Sequence, residues 1–370
     1  MTDAIVDEII PAIYHYCEKT IAKVLAKEIP ITFSRCHSDR FNAGVHTRDG
    51  ATYAITVYDG CVYDLHSAIE GIKSDTVEDV ISRLTELLLR TSGRDLVTYR
   101  SILVFSILFV VLHEIAHVLG GHFVYQIKNG FAVPASDGFH FDEVPLEMRT
   151  ANIASPGDNQ AGGNSTKLLE LDADETAFEL MMMVGYELFV ANTEVSELLG
   201  TTVHEPDDVP PLVERGIWDL SFYAACSAFF VIDSRRNHAK GYPSPMTRAY
   251  NLAYVMARKL VFSDVFEEGR HVIQLDDARR AALMDLVSTV YNGFEFGKAC
   301  SDSLKPDAVQ DDREPLEAML TENWVELFLN RGKINPGAET GSELTDLFDA
   351  KIAFRKLLLP YRLRTWWKTT

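Results

Sequence analysis

Apolar residues along this chain change period several times, and each change marks an element. Residues 3 to 28 alternate apolar and charged positions with helical spacing through Ile9, Ile13, Ile21, Val24 and Leu25, and Pro30 ends that helix. From Ile31 to Leu65 the segments shorten and become β-prone, punctuated by Asn42-Ala-Gly, Arg48-Asp-Gly and Asp59-Gly. Thr52 to Val57 either pairs with Cys61 to Leu65 as a hairpin across Asp59-Gly60, or is one strand followed by a helix start. Asp75-Thr-Val-Glu78 has the form of a capping box and opens a helix to about Arg90. Ser101 to Leu112 is apolar on every side, which predicts a helix buried in the core. Leu168 to Phe178 is a further helix, with Asn164 or Ser165 as N-cap. Beyond Pro210 the pattern is helical at Leu212–Ile232, Pro245–Phe262, Asp276–Tyr291, Pro315–Leu329 and Glu343–Leu358. Residues 124 to 165, rich in Gly, Pro, Asn and Ser, form a loop-rich insertion. The fold class expected is α+β, predominantly helical, with a small sheet. We divide the chain near residue 265, giving a domain at 1–265 and a C-terminal helical region at 266–370.

Composition narrows the partners. With 370 residues, 47% of them hydrophobic, the chain can bury a large core. A net charge of −19 argues against nucleic acid, because phosphate binding needs a basic footprint. The exception is the tail Lys356–Lys368, basic and aromatic, which we expect to dock on the protein's own acidic body. Cys17, Cys36, Cys61, Cys226 and Cys300 are scattered, odd in number and without metal-ligand spacing. That suits a reduced, cytoplasmic setting. The N-terminus lacks the basic start and apolar stretch of a signal peptide. The apolar run at 101–112 falls short of the ~20 residues that cross a bilayer. No membrane span is expected.

The chemistry sits directly after that run. His113-Glu114-Ile115-Ala116-His117 places two histidines four apart, so both imidazoles share one face of a helix. This spacing suits two nitrogen ligands of a Zn2+ ion, with Glu114 beside them as general base. Such an ion takes a third protein ligand and leaves one position for water. Glu170 supplies a carboxylate from the 168–178 helix. Asp174, one turn on, can accept the remaining N–H of a liganding histidine and fix its tautomer.

HEIAHVLGGH followed by ELDAD resembles the gluzincin metallopeptidases, which carry HExxH and then a downstream ExxAD-type helix. It is most similar to soluble relatives of the CAAX-processing and heat-shock metalloproteases, with a weaker likeness to phage-exclusion-type peptidases. Phe41-Asn-Ala-Gly44 and Tyr53–Gly60 resemble the Asn-Ala turn and the strand that precede the metal helix in that group. The likeness covers residues 41–180, with an echo to about 250.

The resemblance implies a zincin-like metallopeptidase core with C-terminal helical additions. It also implies a zinc-dependent metalloendopeptidase, in which Glu114 assists attack of zinc-bound water on the peptide bonds of a restricted intracellular protein or peptide substrate. The alternative is a zincin-fold protein whose metal is structural or partner-binding, without turnover. Relatives carry His-Pro and then Arg in the region of Asn237–Arg248; here Tyr242 precedes Pro243, and His238 lies four residues upstream. Tyr242 and His238 are both candidate donors to the oxyanion, and Arg248 can instead pair with Asp174. His122 misses the third-histidine position of the metzincins by one residue, a rotation of about 100° on a helix. We therefore expect it behind the ligands or at the helix end.

Overall fold

The computed structural model describes residues 2–18, 30–47, 51–72, 94–129, 139–142, 159–190, 211–236, 242–261, 277–304, 350–351 and 353–362. Predominantly helical, with one small sheet, the chain is α+β.

Helix α1 (Thr2–Tyr16) lies against the sheet, where the Tyr14 hydroxyl donates to the Ser34 carbonyl at 2.7 Å and accepts from the Val57 amide at 3.1 Å. Strands β1 (Ile31–Cys36), β2 (Ala43–Thr47), β3 (Tyr53–Tyr58) and β4 (Phe139–Asp142) form a sheet of order β1-β3-β2-β4. β1 pairs with β3 in parallel; the other two pairings are antiparallel. Alternation along β3 buries Tyr53, Ile55 and Val57 on one face, as a period of two requires.

The hairpin alternative at Asp59-Gly60 is not what forms. The chain turns from β3 straight into helix α2 (Asp59–Glu70). Gly60 packs so closely on the Asp39 and Arg40 carbonyls that a Cβ there would lie 2.3–2.4 Å from their oxygens, so its role is close approach.

Helix α3 (Arg94–Leu119) is the central rod. Its apolar stretch is longer than the sequence suggested, because one helix continues through the histidines. The window Tyr99–Leu119 is long and apolar enough to cross a membrane, as is Arg215–Arg235, but 94% and 89% of these windows are buried inside the fold. A short helix, α4 (His122–Lys128), follows a glycine turn. Helix α5 (Asn159–Val190) begins ahead of the expected caps Asn164 and Ser165, so the insertion at 124–165 contains most of α4, all of β4 and the first turns of α5.

Helices α6 (Pro211–Arg236), α7 (Pro245–Leu260) and α8 (Asp277–Leu304) complete the bundle. Ser244 caps α7, accepting from the Thr247 amide at 3.1 Å, with Pro245 at the first helical position. Both α5 and α6 pack along α3, and α8 packs along α6. A buried contact between Ser106 and Ser227 hydroxyls, 2.7 Å apart, and an edge-on pair of Phe109 and Phe229 hold α3 to α6. The division expected near residue 265 lies outside the described residues; beyond it, Leu283, Leu286, Val290 and Phe294 of α8 join the same buried cluster as α3. The helices expected at 75–90 and 315–329 also lie outside the described residues. All five cysteines are free, four of them buried.

Candidate metal centre

Helix α5 decides the site because it buries four acids in six residues. Glu170, Asp172, Asp174 and Glu175 are 8%, 0%, 0% and 1% exposed. Unpaired, such charges would be costly to desolvate. At about 100° per residue, Glu170 and Asp174 share one face, while Asp172 and Glu175 share another. The two faces meet different partners.

The first face meets the histidines of α3. Nε2 of His113 and Nε2 of His117 are 3.0 Å apart. The Glu170 carboxylate reaches both, at 3.3 Å from His113 Nε2 and 3.6 Å from His117 Nε2. Among the described residues, these three are the group whose ligand atoms all lie within 4.8 Å of one another. Tetrahedral zinc with bonds of about 2.0–2.1 Å holds its ligand atoms about 3.3 Å apart, so the three separations fit that ion. A further sign is the Oε2 atom of Glu170, which is buried and makes no hydrogen bond while facing a ring nitrogen. Two imidazoles and a carboxylate are a donor set that zinc takes readily.

Behind His113, Nδ1 lies 2.9 Å from Oδ1 of Asp174. Arg248 grips that carboxylate with two hydrogen bonds, Nε to Oδ2 at 2.8 Å and a terminal nitrogen to Oδ1 at 2.6 Å. The guanidinium rests 4.3 Å over the Phe229 ring, a cation–π contact that links α7 and α6 to the site. Arg248 thus serves Asp174, the partner that the sequence offered as one option.

His122 does not join the converging group of His113, His117 and Glu170. The turn at Gly120-Gly121 swings it back, so that its Nδ1 lies 2.8 Å from Nδ1 of His117 and its Nε2 lies 3.0 Å from Asp172. Glu114 is buried, next to His113 on α3. Tyr242 is half-buried in the bend before α7, six residues ahead of Arg248. His238 lies outside the described residues.

The second face of α5 meets cations that the motif reading did not single out. Arg355 joins Asp172 and Glu175, with Nε on the first and a terminal nitrogen 2.7 Å from the second. Arg362 bonds both oxygens of Asp172 at 2.7 and 2.8 Å. Lys351 donates to Glu175 at 2.6 Å and also to the Asn251 side-chain oxygen. Lys351 and Arg355 precede the basic tail; of that tail, the described part reaches the acidic body through Arg362 on Asp172, and residues 363–368 lie outside the described residues.

Electrostatics separates the rings. Burial opposes charge on His113, but the carboxylates of Asp174 and Glu170 outweigh it and push its pKa up to about 10. Burial keeps His117 well below the usual imidazole range, with His113 and His122 adding to the effect against Glu170. Burial also lowers His122 and keeps it neutral despite Asp172. Glu170, Asp172 and Asp174 are all held below the ordinary carboxylate range, because their cationic and imidazole partners outweigh desolvation.

No family model, curated protein or solved structure matches this chain.

Proposed function

We propose that this protein is a zinc-dependent metalloendopeptidase of the gluzincin kind, with a zincin-like core, acting in the cytoplasm on a restricted protein substrate. His113, His117 and Glu170 would hold the ion. The observation that carries this reading is the convergence of two Nε2 atoms and one carboxylate at 3.0–3.6 Å. It is strengthened by a partner behind each ring, Asp174 for His113 and His122 for His117.

A divalent zinc ion there supplies the positive charge that polarises a peptide carbonyl and brings the pKa of a water towards neutrality. The remaining steps belong to side chains. Glu114 accepts the proton of the attacking water and passes it to the leaving amine. Asp174, fixed by Arg248, holds the ring of His113 in orientation. A donor to the developing oxyanion, worth about 3 kcal/mol of barrier, is assigned to Tyr242 or His238.

One observation favours a second reading, in which the metal serves structure without turnover. The side chains of His113, His117 and Glu170 are only 1%, 13% and 10% exposed. Two measurements separate the readings. Dialysed protein is expected to retain about one equivalent of zinc, and its absence would sink the metal assignment. Glu114→Gln is expected to keep the metal and lose cleavage, read as new protein termini in cells expressing either form. Identical termini from both forms would leave the structural-metal reading standing.

A further inference from the structure

The rear nitrogen of His117 does not face a carboxylate, as that of His113 does; it faces Nδ1 of His122, and His122 in turn faces Asp172. If His117 offers Nε2 as a ligand, protons can be arranged along this row in only one way. Nε2 is then bare, so His117 carries its proton on Nδ1 and donates it to His122. His122 accepts on Nδ1, carries its own proton on Nε2, and donates to Oδ2 of Asp172. The ionised carboxylate is acceptor only and ends the row. Asp172 has no exposed surface, and its charge is met by Arg362 and Arg355, some 190 residues further along the chain.

The segment bearing those arginines is seated on α4 and α5, which carry the last two members of the row. Phe354 and Leu358 pack on Leu168 and Leu169, one turn ahead of Asp172. Tyr125 of α4 meets the rings of Phe354 and Tyr361 edge-on. The Tyr361 carbonyl lies against Gly121, the residue before His122, where a Cβ would come within 2.1 Å of its oxygen. Gly121 has φ of 69°, a conformation glycine adopts without strain. One short stretch of chain therefore sets the position of α4 against α5.

We propose that His122, Asp172, Arg355 and Arg362 are positioning residues of the metal centre, which hold His117 in the one tautomer able to ligate, so that the C-terminal segment completes the site from behind. This rests on the metal reading above. A purely structural role would tie the segment down without affecting how His117 meets an ion, and the two roles give different measurements.

The test uses the full chain, stripped of metal with a chelator. Zinc affinity is read by competition with a chelating dye, the Co2+ form by visible absorption, and the fold by the thermal midpoint of the metal-free protein. His122→Leu is expected to weaken zinc 10- to 100-fold or so, the usual range for groups behind a ligand, and to shift the Co2+ bands. Asp172→Asn weakens it about tenfold and Arg362→Met several-fold on the same basis. His122→Asn, whose side-chain oxygen can stand where Nδ1 stands, recovers most of the affinity lost in the leucine variant. Wild-type affinity and Co2+ spectrum in folded His122→Leu or Asp172→Asn would overturn the proposal, as would equal losses in the leucine and asparagine variants at position 122. Unchanged affinity in Arg362→Met would remove the C-terminal segment from it. If the wild type binds no zinc, the metallopeptidase reading fails first; if it binds zinc and these variants do too, this inference fails alone.

Discussion

The pair of Asp174 and Arg248 offers a test of the site's construction that needs no metal. Their side chains are 0% and 4% exposed and joined by two hydrogen bonds, at 2.8 and 2.6 Å. Arg248→Met keeps much of the stem's volume over Phe229 while deleting the charge. Asp174 is then left buried, facing His113 Nδ1 at 2.9 Å. Breaking a buried pair on one side costs about 3–5 kcal/mol, because the surviving charge is desolvated without its partner. We expect the lower end, since His113 gives partial compensation. Denaturant unfolding in the presence of chelator measures the loss directly. The double variant Arg248→Met/Asp174→Asn removes the orphaned charge and should regain a good part of it. The dependence on pH has a definite sign. Burial raises the pKa of Asp174, but Arg248 outweighs this and holds it below the usual range. In the wild type its contribution is therefore full above the unfolded pKa of about 3.9 and is lost only as pH falls through the lower folded value. In Arg248→Met the carboxyl instead takes up a proton as the pH drops, which relieves the penalty. The gap between wild type and variant should narrow from pH 7 to pH 4. A loss under about 1 kcal/mol at pH 7, in the range of an exposed pair, would refute the reasoning, as would a double variant no more stable than the single one.

Two further outcomes are expected. Gly121→Ala forces a side chain into φ of 69° and against the Tyr361 carbonyl, so it should cost roughly 1–3 kcal/mol and speed proteolytic cutting within residues 350–362; an unchanged digestion pattern would contradict the packing described. Because His113 holds a proton up to about pH 10 without metal, zinc binding at pH 7 should release about one proton, measured by calorimetry in buffers of different ionisation heat. The metal-free protein should correspondingly lose stability as pH rises from about 6.5, the unfolded value, towards 10, whereas zinc affinity should rise over the same interval; a zinc affinity that does not change from pH 6 to pH 9 would count against the site.

How far the site could be read from the chain depends on distance along it. His113 and His117 needed only the helical repeat, and so did the shared face of Glu170 and Asp174. His122 needed one more thing, the left-handed turn at Gly121, which rotates it out of the helical register. Counting residues placed it one position from a metzincin ligand; the turn placed it against His117. Asp172 stands within ELDAD, but nothing near it in sequence pairs with it: Arg355 and Arg362 lie far downstream, the first just ahead of the basic, aromatic tail and the second inside it. β4, Phe139-His-Phe-Asp142, was hidden in the loop-rich insertion because one alternation over four residues is too short to stand out from its surroundings.

Alone, the order of residues determined the central apolar helix, the two imidazoles on one face of it, and a second helix dense in acids. Those follow from the repeat of a single helix, which is local. The tertiary structure decided which acid met which cation: Glu170 towards the rings, Asp174 to Arg248, Asp172 and Glu175 to the C-terminal cations. The reason is physical. A buried carboxylate is stable only where packing delivers a partner to it, and that packing is set by the whole core, not by the residues on either side.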